Sequence, residues 1–300
     1  MFPSGVVEES TSVLTSARLD VDIAKLNKGD VATYEVALTI DHTSPPYERC
    51  RWGRINHLVR AELQLPNSKG QTVEKGFTLN TLPRTITTND YSRTHRSFSE
   101  LLGPVILHVC SLHLTVGGFL HIGISLPSPA PNVRLVCITL SIVQKTRLAS
   151  RKRPGHEEDC PEKTVEFHRV EGSELDRFMG KDERAEAWIA RLPHDNDVRP
   201  TTISSSQTPI RVSHRLEVKM IFEESDDGPD EESKVGKKKK PQKVYLAAWP
   251  IHLVSCCCIW NSLLLPPYSD EDPLDSEKIR TSGLQLQPEN GRLAQFRERT

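Results

Sequence analysis

The stretch that decides the fold is Ile210–Phe222, which reads IRVSHRLEVKMIF. Its even-numbered positions are apolar apart from His214, and its odd-numbered positions up to Lys219 are polar. Successive side chains of a β-strand point to opposite faces of the sheet. The stretch is therefore predicted to be a strand with one dry and one wet face. That pattern is typical of antiparallel sandwiches and not of the buried strands of parallel sheets.

The same alternation recurs along the chain. The further runs are Leu19–Ile23, Tyr34–Ile40, Ile55–Leu65, Leu120–Leu126 and Val136–Ile142. Clusters of glycine, proline, asparagine and serine separate them, and these residues favour turns. Short strands and turns at this spacing predict an all-β protein built from antiparallel sandwiches.

Composition and charge limit the classes of partner and the cellular location that we expect for the protein. The chain has 300 residues and a formal net charge of −1, which argues against nucleic acid as a partner. Its 7 cysteines are odd in number and three of them are adjacent, which favours reduced thiols over a secreted disulfide framework. The start Met1–Gly5 lacks the features of a signal peptide, and no apolar run approaches the ~20 residues of a membrane span. A cytoplasmic location is expected.

Three segments break the strand pattern. Glu174–Arg191 is charged and favours helix, so we expect a short helix or a loop insertion there. Asn89–Gly103 is rich in serine, threonine and arginine and is predicted to be a linker. Ser225–Gln242 has almost nothing to bury, which predicts a disordered loop between two strands of a hairpin.

Several segments, taken in chain order, resemble fungal arrestin-like (alpha-arrestin) proteins. They are Pro45–Cys50 followed by Gly53–Ile55 and the strand to Leu63, then Gly103–Gln144, then Arg191–Pro193, Arg199–Pro200 and Thr208–His214, and last the strand to Leu253 and Leu263–Tyr268. The resemblance covers roughly Asn27–Tyr268. It implies two immunoglobulin-like antiparallel β-sandwiches.

The resemblance also implies a domain organisation. Residues 1–98 are expected to form a partial N-terminal sandwich. Residues 104–268 are expected to form the C-terminal sandwich, with a disordered loop near 225–242, and residues 269–300 a flexible tail. The family's first sandwich has more strands than the ~100 residues before Gly103 supply at ordinary strand lengths. The first sandwich is therefore expected to be incomplete, with unpaired strand edges.

A short proline motif lies near the end of the chain. Leu265, Pro266, Pro267 and Tyr268 fit the Leu/Pro-Pro-x-Tyr pattern read by WW domains, because prolines pre-set an extended conformation and the tyrosine fills a pocket. The alternative is that Tyr268 ends the last strand and packs on the sandwich. Ser44–Tyr47 lacks the correct register and is predicted to be a tight turn.

The family resemblance turns this motif into a functional hypothesis. It implies an adaptor that binds a WW-domain HECT ubiquitin ligase and the cytosolic tails of membrane transporters or receptors, promoting ubiquitination and endocytosis, with a peripheral contact to an anionic membrane. The alternatives are a structural or cargo-binding trafficking sandwich without a ligase link, or a non-functional gene fragment. No enzymatic activity, metal or cofactor is expected.

A lysine run, a cysteine run and one histidine can each be interpreted either structurally or functionally. Lys237–Lys240 suits a nuclear address, a lipid contact or a ubiquitin acceptor, but we favour a solvated loop. Cys256–Cys258, if on a strand, would point in alternating directions and so could not converge on one zinc ion; packing as small buried side chains is favoured, and acylation stays open. His214 is predicted to be a hydrogen-bonded core histidine.

Overall fold

A computed structural model describes residue 5 and residues 7–20, 33–64, 70–80, 91–180, 184–224 and 241–258. Its regular elements are strands, one α-helix and one short 3-10 helix. The strands are β1 Glu48–Cys50, β2 Gly53–Ile55, β3 His57–Leu63, β4 Gln71–Phe77, β5 Tyr91–Ser99, β6 Gly103–Ser111, β7 Phe119–Ser125, β8 Val133–Ala149, β9 Glu157–Asp159, β10 Lys163–Glu171, β11 Ala185–Arg191, β12 Ile210–Glu224 and β13 Gln242–Ile251. The helices are α1 Ser173–Met179 and the 3-10 helix Cys256–Cys258.

Two antiparallel sheets form a sandwich. One has the strand order β11-β7-β6-β5, and the other has the order β10-β8-β12-β13 with β9 added beside β8. Their inner faces supply one hydrophobic core that includes Leu107, Ile122, Leu140 and Val218, all fully buried. The prediction of an all-β antiparallel sandwich is confirmed.

The pair β8–β12 runs through the middle of the larger sheet. Its register extends from Ile210 opposite Leu148 to Glu224 opposite Val133, with one irregularity after Ile221. Along β12 the even-numbered residues up to Phe222 are buried, while the odd-numbered side chains are exposed or half-buried. The stretch that predicted the fold therefore forms the two-faced strand expected of it.

The polar segment Asn89–Gly103 was expected to be a linker, and this expectation is wrong. Tyr91–Ser99 is β5, and it pairs along its whole length with β6. Tyr91 accepts a hydrogen bond of 2.9 Å from Trp249 Nε1 on β13, and the ring of His95 stacks on the same indole at 5.7 Å. An edge strand tolerates polar side chains on both faces, so its sequence shows little apolar alternation.

Glu174–Arg191 is only partly helical, so the expectation for it needs correction. Helix α1 buries Leu175 and Phe178, and the ring of Phe178 meets the indole of Trp188 edge-on with centroids 5.8 Å apart. The second part is strand β11, which pairs with β7. Alanines at alternate positions of β11 give too weak an apolar contrast to reveal the strand from the sequence.

The strands that precede β5 in the described residues form two separate hairpins, β1–β2 and β3–β4. Ile55–Leu65 was expected to have a dry face, and this is wrong for the described part of β3. Val59 and Leu63 are 45% and 48% exposed, and Val73 on β4 is 68% exposed. A two-stranded hairpin has no second layer to cover its apolar face.

The prediction of a strand at Tyr34–Ile40 is also wrong. These residues are not in a strand, and the side chains of Tyr34, Val36 and Leu38 are exposed. Among the described residues no strand pairs with them, so their backbone N–H and C=O groups make no hydrogen bonds of a β-sheet. Leu19 is likewise exposed outside any strand, and Val21–Ile23 lies outside the described residues.

The loop between β12 and β13 was expected to connect a hairpin. The two strands do pair antiparallel, from Glu223 opposite Gln242 inward to His214 opposite Ile251. Residues 225–240 and the predicted tail 269–300 lie outside the described residues. In the described part of the chain, no helix has the length and apolar character needed to cross a membrane.

Candidate functional site

The outer face of the four-stranded sheet carries large apolar side chains that are uncovered in the described residues. We call it the open face and define it by six residues. They are Phe98, Ile106, Phe119, Gly123, Ala187 and Ile189. Phe98 and Phe119 are 74% and 59% exposed, and Ile189 is 48% exposed. Aromatic side chains uncovered to this degree are typical of surfaces that bind other proteins.

Strand register produces a hollow in the open face. Ala187 of β11 lies opposite Gly123 of β7, and Gly123 lies opposite His108 of β6. Because Gly123 and Ala187 have little or no side chain, the surface of the sheet is lower between His108 and the edge strand β11 than around it. A hollow of about 390 Å³ results. A Cβ at Gly123 would meet His108 Cβ at 3.7 Å, which is ordinary contact, so larger side chains would begin to fill it.

The open face carries charges of both signs, because Glu186 lines its hollow and two arginines lie on the same side of the sheet. Arg96 of β5 and Arg191 of β11 alternate onto this side of the sheet, as do His108 and His121. His108 shares a hydrogen bond of 3.0 Å with the Thr94 hydroxyl. Burial lowers the pKa of His121, so this histidine stays neutral at pH 7.

A second site joins the N-terminal hairpins to the sandwich. We call it the polar junction and define it by Glu48, Asp195 and Arg199. Arg199 Nε donates to Glu48 Oε1 at 2.7 Å, and Arg199 Nη1 lies 2.5 Å from Asp195 Oδ2. The Glu48 and Arg199 side chains are 5% and 8% exposed, so the pair is buried. The Arg199 guanidinium also lies 5.8 Å from the ring centroid of Tyr47.

Electrostatics at the polar junction reflect this burial. Loss of solvent raises the pKa of Glu48 despite the guanidinium of Arg199 beside it. Burial opposes the charged form of Arg199 as well, but the carboxylates of Glu48 and Asp195 outweigh it, and the pKa of Arg199 is raised. The backbone N–H of Arg199 donates to Gln144 Oε1 at 2.7 Å, which ties the pair to β8.

Backbone contacts extend the polar junction. The N–H of Gln207 donates to the carbonyl of Thr43 at 2.8 Å, and the Ser206 hydroxyl donates to the carbonyl of Ser44 at 3.3 Å. Cys50, Trp52 and Ile55 then pack on a small apolar cluster that includes Ile210. The junction therefore holds residues 43–55 against the sandwich.

His214 lies beside the junction and is 4% exposed. Its Nδ1 is 2.8 Å from the Thr201 hydroxyl, and its Nε2 is 3.4 Å from Gln144 Oε1. Burial, with a smaller effect of His252, lowers the pKa of His214 to about 3. The prediction of a hydrogen-bonded core histidine is confirmed.

The predicted partner motif Leu265, Pro266, Pro267 and Tyr268 lies outside the described residues, and so does Lys237–Lys240. The other proline pair is described. The prediction of a tight turn at Ser44–Tyr47 is wrong, because the turn lies one step earlier, at Asp41–Ser44, where the N–H of Ser44 donates to the carbonyl of Asp41. Pro45–Tyr47 then continues without a turn into β1, and the Pro45 carbonyl lies 2.9 Å from His57 Nε2.

The cysteine prediction needs correction. Cys256–Cys258 forms a 3-10 helix rather than part of a strand, and only Cys258 is buried. A helical turn distributes three consecutive side chains around its axis, so two of them face solvent here. In the described residues, no three of the His, Cys, Asp and Glu side chains lie together in a way that would hold a metal ion.

The sequence did not reveal the polar junction as a site. Glu48 and Arg199 are separated by 151 positions, and no local sequence pattern links them. The open face was missed because its defining feature is small side chains in register on neighbouring strands, which no local pattern records.

The fold defines the chain as an antiparallel β-sandwich protein, and its four-stranded sheet has an uncovered face that carries exposed aromatic side chains. No protein-family model matches the chain, and no curated protein matches it. The arrestin-like resemblance therefore stays a prediction.

Proposed function

We propose that this protein is a cytoplasmic adaptor. It joins a WW-domain ubiquitin ligase, through Leu265–Tyr268, to the cytosolic tail of a membrane transporter or receptor, and so promotes ubiquitination and endocytosis of that cargo. The observation that carries the proposal is the open face, an apolar, hollowed sheet surface with no covering layer in the described residues. No side chain performs a chemical step in this proposal.

The open face suits the cargo tail. Phe98 and Phe119 provide exposed aromatic rings on the same face as the hollow, and aromatic residues are frequent energetic centres of protein interfaces. Arg96 and Arg191 place positive charge on this face and Glu186 places a carboxylate beside the hollow, which favours an apolar segment whose flanking charges complement both signs. Single contacts of this kind are weak, and a ligase with several WW domains would add strength by multivalency.

The ligase arm is tested by a pull-down with isolated WW domains of a HECT ligase. Wild type is expected to bind, and Tyr268→Ala is expected to lose binding because the tyrosine pocket is left empty. Tyr47→Phe is the matched control, since Tyr47 also follows two prolines but its segment is held at the polar junction. Equal retention of Tyr268→Ala and wild type would refute the ligase link.

The cargo arm is tested on a peptide array of cytosolic tails from membrane transporters and receptors. Ala187→Arg places a long charged side chain in the hollow and is expected to weaken tail binding at least about 10-fold. Thr72→Arg on the exposed hairpin β3–β4 adds the same charge elsewhere and is the control. Tail binding that is identical in Ala187→Arg and wild type would remove the open face from the proposal.

A cargo-binding sandwich without a ligase link is the second candidate. The open face supports it equally, because none of the residues of that face belongs to the proline motif. Sensitivity of tail binding to Ala187→Arg, together with no WW-domain binding by either wild type or Tyr268→Ala, would favour this candidate.

A further inference from the structure

A second concave site lies on the opposite side of the sandwich, where β8 ends and β12 begins. We call it the basic pocket. Its lining combines three cationic side chains with three hydroxyls, namely Lys145, Arg147, Arg211, Thr202, Ser204 and Ser213. Its volume is about 320 Å³, near the lower limit for sites that hold small molecules.

Strand register forces the cations together. Arg211 of β12 lies directly opposite Arg147 of β8, and Ser213 lies opposite Lys145. Like charges directly opposite each other in an antiparallel pair destabilise it. The two facing arginines and the neighbouring lysine therefore repel one another, and an anion bound between them would stabilise the sheet at this point.

Carboxylates of the protein itself neutralise part of this positive charge. Arg147 Nε donates to Asp159 Oδ1 at 2.7 Å, and Lys145 Nζ lies 2.8 Å from Asp159 Oδ2. Arg147 Nη1 also donates to Glu157 at 3.3 Å. Both carboxylates belong to β9, the three-residue strand beside β8. The hydrogen bonds from Arg147 and Lys145 lower the pKa of Asp159 to about 2, so this carboxylate is ionised at pH 7.

Arg211 is the remaining cation. It is exposed, and within the described residues it makes no ion pair of 4.0 Å or less. Thr202 Oγ1 accepts from the N–H of Val212 at 2.9 Å, which leaves the hydroxyl hydrogen of Thr202 available to donate. The pocket thus offers one uncompensated guanidinium and several hydroxyl donors around a small volume.

We propose that the basic pocket binds a phosphate group, held between Arg211 and Arg147 with Lys145 beside them and the hydroxyls of Thr202, Ser204 and Ser213 completing the donors. Guanidinium groups suit phosphate because they donate two parallel hydrogen bonds to its oxygens. Asp159 occupies the same cations and competes with the ligand. The phosphate can belong to a soluble molecule or to a lipid headgroup, since the pocket contacts only the group itself.

The test measures phosphate binding to the full chain by titration calorimetry, with inorganic phosphate as one probe. The second probe is vesicles of phosphatidylcholine containing phosphatidylinositol 4-phosphate, compared with vesicles of phosphatidylcholine alone. Arg211→Gln is expected to weaken binding at least about 10-fold, the effect of losing charged hydrogen bonds. Asp159→Asn is expected to tighten binding about 2- to 5-fold because a competing carboxylate is removed.

Arg215→Gln is the matched control. Arg215 lies on the same face of β12 but donates to Glu162 at 2.8 and 2.9 Å and to Glu217 at 2.7 Å, so it is already paired away from the pocket. It is expected to bind phosphate like wild type. Circular dichroism checks that each variant is folded, which the exposure of Arg211 favours.

The outcomes separate the sources. Response to inorganic phosphate without response to the phosphorylated lipid assigns a soluble ligand, and response to the phosphorylated lipid assigns a headgroup. Either supports the pocket if Arg211→Gln weakens it. Absence of saturable binding to both probes, or equal binding by Arg211→Gln and wild type, would overturn the proposal. Tyr268→Ala is expected to bind phosphate normally, so the adaptor hypothesis can fail without affecting this one.

Discussion

Replacing Arg199 by methionine tests how the hairpins are attached to the sandwich. In the polar junction Glu48 and Arg199 are joined at 2.7 Å and are 5% and 8% exposed. Methionine fills much of the space of the arginine stem but carries no charge. Arg199→Met therefore leaves the Glu48 carboxylate buried beside an apolar side chain, with the N–H of Arg49 at 2.8 Å as a remaining donor.

The magnitude follows from that burial. Breaking a buried ion pair by removing one partner costs about 3–5 kcal/mol, because an uncompensated charge stays buried. Replacing both partners by apolar residues of similar volume is often close to neutral. The double variant Glu48→Met/Arg199→Met is therefore expected to be more stable than Arg199→Met by about 2 kcal/mol or more. Asp195 is 40% exposed and can be hydrated in either variant.

The assay is urea unfolding at pH 7, with the free energy of unfolding obtained from midpoint and slope. Arg49→Met is the matched control. Arg49 contacts Asn196 at 2.7 Å and Asp195 at 3.6 Å in the same region, but its side chain is 53% exposed. The control is expected to lose no more than about 1 kcal/mol. Equal losses for Arg199→Met and Arg49→Met, or a double variant no better than the single one, would refute the reasoning.

Three further predictions concern the core, the titration of His214 and the thiols. Phe178→Ala, at a fully buried side chain, is expected to cost about 3–5 kcal/mol in urea unfolding, whereas Phe119→Ala on the open face should stay within about 0.5 kcal/mol; similar losses would contradict the burial pattern. Because burial lowers the folded pKa of His214 from 6.5 to about 3, its contribution to stability is complete above pH 6.5 and is lost as the pH falls toward 3. The free energies of unfolding of wild type and His214→Gln should be compared across that pH range. The advantage of wild type should shrink by up to about 1.4 kcal/mol for each unit by which the pH falls, and a constant difference would exclude a buried neutral histidine. Iodoacetamide at pH 8 should label exposed Cys257 in the folded protein, while Cys160 and Cys258, whose pKa values burial raises to about 11, should be labelled only in urea. Fragment spectra of the tryptic peptides locate the label, because Cys257 and Cys258 share one peptide. Early labelling of Cys160 would be inconsistent with the packing.

The sequence by itself determined the fold class and the central strands. Ile210–Phe222 and Val136–Ile142 alternate apolar and polar residues because each has one buried face, and that periodicity is a local property that can be read without knowing the partners. His214 was identified in the same way, as the polar residue on the dry face of β12.

Only the tertiary structure decided where a periodic segment finds a second layer. Val59, Ala61 and Leu63 of β3 alternate with polar residues as regularly as those of the core strands do, yet their face is exposed, since the hairpin β3–β4 has no covering sheet in the described residues. Tyr91–Ser99 and Ala185–Arg191 are the opposite case. They are strands whose polar or small side chains hide the pattern, and pairing with β6 and β7 fixes them.

The residues of the candidate sites are also brought together by contacts between segments that are distant in the sequence. Glu48 meets Arg199 across 151 positions, and Arg211 faces Arg147 only through the register of β8 and β12. Periodicity reports which side chains of a strand share a face, because that follows from their positions along the strand. It does not report which side chain lies opposite, since that depends on how distant strands pair.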